Sequence, residues 1–110
     1  MRQAQKEITV ATAGQGLYEI SAAARSFAEE AGIATGQLTA YCRHTSASLV
    51  IQENADPDVQ RDLVAFFRRL VPEGDPLFVH TIEGPDDMPA HVKSALTQTS
   101  ITIPIVRSML

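Results

Sequence analysis

Three histidines are the residues of this chain best suited to hold a metal ion or to transfer a proton. His44 ends a strand-like segment, His80 lies within another, and His91 falls on a predicted helix. Neutral imidazole is the most common zinc ligand, and three histidines that leave one coordination position open are typical of catalytic zinc. Asp87 precedes His91 by four residues, so its carboxylate could accept a ring proton and orient that imidazole. Because no two histidines have the spacing of a short zinc motif, surface or core histidines remain the alternative.

A second group of polar residues surrounds the predicted start of another helix. Asp58 and Asp62 are four residues apart and share a helix face, and Asn54 precedes them. These oxygen ligands could hold Mg²⁺, which prefers carboxylates and phosphates. The alternative is structural, because Asp56 suits an N-cap and Asp58 complements the helix dipole. Asp62 is harder to explain in this way, since it repels Asp58.

Hydroxyl groups follow His44 in the segment that contains Thr45, Ser46 and Ser48. A serine nucleophile activated by His44 is disfavoured, because adjacent residues on a strand point to opposite faces and no GxSxG motif is present. Hydroxyls and helix N-termini are better suited to bind phosphate or carboxylate groups. Lys93 could add positive charge to such a site, although a solvated helix lysine is an equal alternative.

Periodicity and turn residues predict the elements that must position these groups. The predicted helices cover about residues 22–31, 57–70 and 88–97. Ser21 suits the N-cap of the first helix and Gly32 its C-terminal cap. Asp56 and Pro57 are typical of the start of the second helix. Asp86 or Asp87 suits the start of the third.

Alternating and β-branched residues predict several strands between the helices. The predicted strands cover residues 6–12, 17–20, 37–43, 47–52, 77–82 and 100–106. Pro104 favours a sheet edge for the last of these. The irregular order of strands and helices favours an α+β fold over a doubly wound sheet. No glycine-rich loop joins a strand to a helix, so neither a nucleotide nor another organic cofactor is expected.

Composition excludes several classes of function. The chain has 110 residues, of which 45% are hydrophobic and 20% charged, as expected for a single globular domain over residues 1–110. A net charge of -4 disfavours a nucleic-acid groove. No apolar run approaches the roughly 20 residues of a membrane-spanning helix, and no secretory signal is evident, so a cytoplasmic protein is expected. Cys42 is the one cysteine, so we expect a buried free thiol or a fourth soft ligand.

Several segments, taken in order, resemble the YjbQ family, also called UPF0047. The matching motifs are His44-Thr45-Ser46-Ala47-Ser48, Gln52-Glu53-Asn54-Ala55-Asp56-Pro57, Leu70-Val71-Pro72-Glu73-Gly74, Glu83-Gly84-Pro85-Asp86-Asp87-Met88-Pro89-Ala90-His91-Val92-Lys93-Ser94, and Thr99-Ser100 before Ile103-Pro104. The resemblance extends over residues 8–106 and implies a two-sheet β-sandwich with about three helices, assembled as a homotrimer. It also implies that His44, His80 and His91 are motif histidines of one site.

The resemblance implies an enzyme of the thiamine-phosphate synthase type. Such an enzyme joins a pyrimidine pyrophosphate to a thiazole phosphate and releases pyrophosphate, so a divalent metal, zinc or magnesium, is expected near the leaving group. Asn54 with Asp58 or Asp62 is expected to bind the cation. Lys93 and the helix N-termini are expected to bind phosphate, and His44 or His91 is expected to act as a general acid or base. The alternatives are a metal- or anion-binding trimer without catalysis, and metal-assisted hydrolysis of a phosphate ester.

The chain departs from the family at its C-terminus. Members usually continue through a glycine-rich segment, a GTWQG-like motif, an EHR-like motif and a final strand. This sequence ends with Arg107-Ser108-Met109-Leu110 and contains no tryptophan. We therefore expect unpaired sheet edges. The alternatives are that partner chains cover these edges, that the chain is a truncated or frameshifted product, or that its activity is compromised.

Overall fold

The computed structural model describes residues 1–107 and 109–110 and contains three helices and two strands. In chain order these are α1 (Ser21–Ala31), β1 (Thr35–Tyr41), α2 (Pro57–Leu70), α3 (Asp87–Ala95) and β2 (Ser100–Val106). The helices and a small antiparallel sheet confirm the predicted α+β class. Among the described residues, the sheet consists of β1 and β2 alone, whereas the resemblance implies two sheets.

Contacts within the chain define two compact units. The α1 unit comprises Met1–Gly14, Tyr18–Ala40 and Thr102–Leu110. The site unit comprises Gln15–Leu17 and Tyr41–Ile101.

The α1 unit is built around a small apolar core. Side chains of β1 and β2 alternate between exposed and buried positions, and Leu38 and Ile105 point toward Ala28 of α1. On the exposed face, the hydroxyl oxygens of Thr39 and Thr102 lie 3.2 Å apart, so these two residues are cross-strand neighbours. This alternation confirms the strand predicted over residues 100–106, and β1 begins and ends two residues before its predicted bounds.

The helix ends follow their capping residues closely. At the end of α1, Gly32 has a φ of 65° and donates its N–H to the Glu29 carbonyl, which confirms the predicted glycine cap. At the start of α2, the Asp56 carboxylate accepts the N–H of Asp58 at 2.9 Å, and Pro57 is the first helical residue, again as predicted. The start of α1 differs by one position, since Ile20 occupies the N-cap and Ser21 is already helical.

Four of the predicted strands do not form in the described part of the chain. Residues 6–12, 17–20, 47–52 and 77–82 have no ladder partner apart from an isolated bridge between Leu49 and Gln98. An alternating pattern favours extended backbone, but a strand requires a neighbour to bond its N–H and C=O groups. The side chains of Leu77, Val79 and Ile82 are 79–96% exposed, so the apolar pattern of residues 77–82 finds no packing partner. None of the described helices is long and apolar enough to cross a membrane.

Candidate metal centre

The first turns of α3 and the segment before it carry a cluster of ionisable side chains. Asp87 and His91 are four residues apart on α3, so they share one face of the helix. The Oδ2 atom of Asp87 lies 3.1 Å from His91 Nε2 and 2.9 Å from His80 Nε2. The two imidazole rings are 5.8 Å apart between centroids and inclined by 70°. One carboxylate oxygen therefore lies between two imidazole nitrogens.

Glu83 reaches the same cluster from the turn that connects His80 to α3. Its Oε2 atom lies 3.7 Å from His80 Nε2. Gly84 has a φ of 105° and donates its N–H to the Thr81 carbonyl, which closes this turn. A left-handed φ of this size favours glycine. As a result, one donor atom from each of His80, Glu83, Asp87 and His91 lies within 4.8 Å of the other three.

The second ring nitrogen of His91 contacts the backbone. Its Nδ1 atom lies 2.8 Å from the carbonyl oxygen of Thr45. A carbonyl oxygen only accepts, so Nδ1 donates to it. This contact directs Nε2 into the cluster, next to the carboxylate of Asp87. A backbone carbonyl that orients an imidazole in this way is the usual partner of a metal-bound histidine.

The carboxylate of Asp87 is held in its ionised form. Partial burial raises the pKa of Asp87, but hydrogen bonds with His80 and Glu83 and the charge of His91 together bring that pKa below its ordinary value. The side chain is 20% exposed, compared with 43% for His80. Asp87 therefore offers an anionic oxygen at the inner side of the cluster, while His80 and Glu83 face solvent.

Hydrogen bonds tie the segment that contains Thr45 to α3. The hydroxyl of Ser94, which is buried, donates to the Ala47 carbonyl at 2.9 Å. The hydroxyl of Ser48 bonds that of Thr97 just beyond the helix. Sequence reasoning missed Ser94, although its spacing from Asp87 and His91 is that of one helix face. These bonds hold the carbonyl that orients His91.

His44 lies outside the four-residue donor set of the described residues. Its Nδ1 atom accepts the backbone N–H of Ser46 at 3.0 Å and lies 2.8 Å from the Ser46 hydroxyl. Because a backbone N–H only donates, Nδ1 holds the lone pair and Nε2 holds the proton. The structure thus brings His80 and His91 together and gives His44 a separate set of contacts.

The other polar residues singled out by the sequence are also placed elsewhere. Asp58 forms an ion pair with Arg61 at 3.1 Å, and the amide oxygen of Asn54 accepts from Gln60. Asp62 is exposed on α2. These three residues do not enter the donor set found among the described residues. Their contacts agree better with the structural alternative than with a shared Mg²⁺.

Lys93 is a partly buried lysine near other charged residues. Burial lowers the pKa of Lys93, the charge of Arg68 lowers it further, and the charge of Glu73 raises it. Lys93 comes two residues after His91 on α3, which places it on a different face of the helix.

Cys42 is a half-buried free thiol whose backbone N–H donates to the Thr99 carbonyl at 2.8 Å.

Known proteins share both the sequence and the fold of this chain. Residues 6–110 match the family model described as UPF0047 protein YjbQ-like. UPF0047 protein sll1880 of Synechocystis sp. is 50% identical over 109 residues, which cover 99% of this chain and 74% of that protein. UPF0047 protein YjbQ of Escherichia coli O157:H7 is 36% identical over 92% of this chain and 73% of its own length.

Solved structures agree with this assignment. A conserved hypothetical protein from Thermus thermophilus superposes with a TM-score of 0.80 at 30% identity, over 90% of this chain and 74% of that one. An uncharacterised YjbQ/UPF0047 protein from Clostridium acetobutylicum gives a TM-score of 0.74 at 31% identity, over 83% and 67% of the two chains. With the family model, the sequence relatives and the fold in agreement, the chain belongs to the YjbQ-like UPF0047 family.

Proposed function

We propose that this chain is a metal-dependent enzyme that acts on phosphorylated small molecules. His80, Asp87 and His91 would hold a divalent cation, with Glu83 as a fourth donor. The observation that supports this proposal is the convergence of four donor atoms within 4.8 Å of one another. Two imidazole nitrogens and two carboxylate oxygens favour zinc over magnesium, because magnesium prefers oxygen ligands alone.

The contacts around the cluster support a site prepared for a cation. The Thr45 carbonyl at 2.8 Å from His91 Nδ1 directs the Nε2 atom toward the other donors of the cluster. The ionised carboxylate of Asp87 adds negative charge between the two rings.

Thiamine-phosphate synthase-type condensation is the specific reaction that we propose. A bound divalent cation would supply charge neutralisation for a departing pyrophosphate. Glu83 has a side chain that is 64% exposed, so it lies on the side of the cluster that a substrate can reach. Thr45 orients His91 through Nδ1, so Nε2 already points toward the place of the cation before substrate binds.

Metal-assisted hydrolysis of a phosphate ester is the second candidate. The exposure of His80 and Glu83, 43% and 64% of their side chains, favours it because water can reach the open side of the cluster. The two candidates would use the same metal site for different reactions. In the condensation, the pyrimidine group bonds to the thiazole phosphate and pyrophosphate leaves, whereas in the hydrolysis water attacks the phosphate ester and the alcohol leaves.

Metal titration combined with an activity assay tests the proposal. We expect the chelator-treated wild-type protein to bind zinc. His91→Ala and Asp87→Asn should each lower the zinc affinity at least about 100-fold, whereas the control Asp58→Asn should bind zinc as tightly as wild type. Pyrophosphate release from the two thiamine precursors, compared with phosphate release from simple esters, separates the two candidates. Zinc affinity that is equal in Asp87→Asn and wild type would contradict the metal site, and zinc binding without either activity would leave a non-catalytic binding protein.

A further inference from the structure

The segment that leads into α3, residues 76–83, is largely exposed and lies within the site unit. Phe78 is half-buried, whereas the other seven residues of the segment are exposed. The backbone–backbone hydrogen bonds described for it are local, since Phe78 donates its N–H to the Asp75 carbonyl and Gly84 donates its N–H to the Thr81 carbonyl. A segment with little apolar burial and only local backbone bonds opens at a low cost in free energy.

The side chains of His80 and Glu83 connect this segment to α3. The Nε2 atom of His80 lies 2.9 Å from the Oδ2 atom of Asp87, and its ring is 5.8 Å from that of His91 between centroids. Glu83 shares a hydrogen bond with the same Asp87 carboxylate. The residues that tie the segment to the helix are therefore the same residues that supply it with metal-ligating atoms.

The other two donors of the cluster lie on a helix that is anchored by long-range contacts. Asp87 and His91 both belong to α3, where Pro89 is fully buried. The Ser94 hydroxyl donates to a carbonyl 47 residues away in sequence, and His91 Nδ1 donates to one 46 residues away. The donor set is thus divided between a fixed helix and an exposed segment, and only the segment is free to change its order.

We infer that residues 76–83 form a metal-responsive strap, which becomes ordered on α3 when His80 and Glu83 bind the same divalent cation as Asp87 and His91. The inference deepens the proposed function and rests on it for the presence of the cation. A hydrogen bond between partly exposed groups contributes little to local stability, whereas a cation shared by both elements joins them at fixed donor positions. The cation therefore determines the order of the segment on the solvent-facing side of the cluster, and this order regulates the site.

Nuclear magnetic relaxation of the backbone ¹⁵N nuclei, measured on the chelator-treated chain before and after saturation with zinc alone, tests the strap. We expect amide order parameters of residues 77–83 to rise from below about 0.6 without metal to about 0.85 with zinc. His80→Ala should bind zinc only at higher concentrations, and at saturation its strap should stay below about 0.6. Thr81→Ala changes an exposed side chain of the strap without removing a donor of the cluster, so this matched control should become ordered as wild type does. The amides of α2 are the internal reference and should not change.

The outcomes separate this inference from the proposed function. Zinc binding that is weakened by Asp87→Asn, with no change in the order of the wild-type strap, would overturn the strap and leave the metal site intact. An equal gain of order in His80→Ala and wild type at zinc saturation would also overturn it. If wild type binds no zinc, the metal site and the strap fail together. The comparison of metal-free with zinc-bound wild type decides the inference even where His80→Ala no longer binds zinc.

Discussion

The α1 unit and the site unit differ in the kind of internal contact that stabilises each of them. In the α1 unit, Ala28, Leu38 and Ile105 form an apolar core between one helix and one face of the sheet. In the described part of the site unit, the buried residues are Val71, Pro89 and Ser94, and the loops are tied to α3 by side-chain hydrogen bonds. Apolar burial tolerates small shifts of position, whereas hydrogen bonds fix atoms to within a few tenths of an ångström. The directional contacts are found in the unit whose donor atoms must converge.

Removing apolar volume from the α1 unit should have the largest effect on stability. Ile105 is 3% exposed, and Ile105→Ala should lower the free energy of unfolding by about 3 kcal/mol, because it leaves a cavity next to Ala28 and Leu38. Urea denaturation measures this change. Val106→Ala, at a neighbouring position that is 58% exposed, is the control and should cost less than about 1 kcal/mol. A small effect of Ile105→Ala would mean that this core does not stabilise the unit.

The contrast between the units also explains what the sequence could predict about the fold. The start of α2 was predictable because Asp56 and Pro57 act locally, through an N-cap bond and a fixed φ. The alternation of Ile101, Ile103 and Ile105 predicted β2 correctly, and Ile105 packs against Ala28 of α1. Residues 77–82 have a comparable pattern without a ladder partner, and no local signal reveals whether a partner will be present.

The candidate site was predictable only in part, for the same reason. The spacing of Asp87 and His91 on one helix suggests their contact, and the structure has it at 3.1 Å. The contacts of His91 with Thr45 and of Ser94 with Ala47 span 46 and 47 residues, so they depend on tertiary structure. The sequence grouped His44 with the other histidines because residue type alone does not reveal which ring nitrogen is already occupied.

Weakening the hydrogen bonds of the site unit should have an intermediate effect on stability and a specific effect on metal binding. Ser94→Ala leaves the Ala47 carbonyl without its donor, which should cost about 2 kcal/mol of unfolding free energy. We also expect roughly tenfold weaker zinc binding by the folded protein, because the segment that orients His91 loosens. Calorimetry at a temperature where both proteins are folded measures this second effect. Ser26→Ala, at an exposed position on α1, should change neither property appreciably.

The two effects of Ser94→Ala distinguish a positioning role from a merely structural one. A loss of stability with unchanged zinc affinity would show that the Thr45 carbonyl keeps its place without Ser94. The reverse result, weaker zinc binding without destabilisation, would show that the hydrogen bond acts on the site alone. Rescue by Ser94→Thr, which keeps the hydroxyl, should restore part of the zinc affinity.

The smallest expected effect concerns the charge of Lys93, and it has a defined pH dependence. Burial, with the charge of Arg68 added, brings the pKa of Lys93 below its ordinary value of 10.5, despite the opposing charge of Glu73. At pH values between the pKa of Lys93 in the folded protein and 10.5, the unfolded chain binds more protons at Lys93 than the folded protein does. The contribution of Lys93 to the free energy of unfolding therefore rises with pH. Lys93→Met should therefore have a higher free energy of unfolding than wild type at pH 7. The difference in unfolding free energy between the two proteins should become smaller as the pH approaches 10.5. Urea denaturation at several pH values measures this narrowing, and Arg69→Met is the control, because a guanidinium keeps its charge over that range. A difference that is constant with pH would mean that Lys93 is fully solvated, and Lys93 would then remain available to bind phosphate, as the sequence suggests.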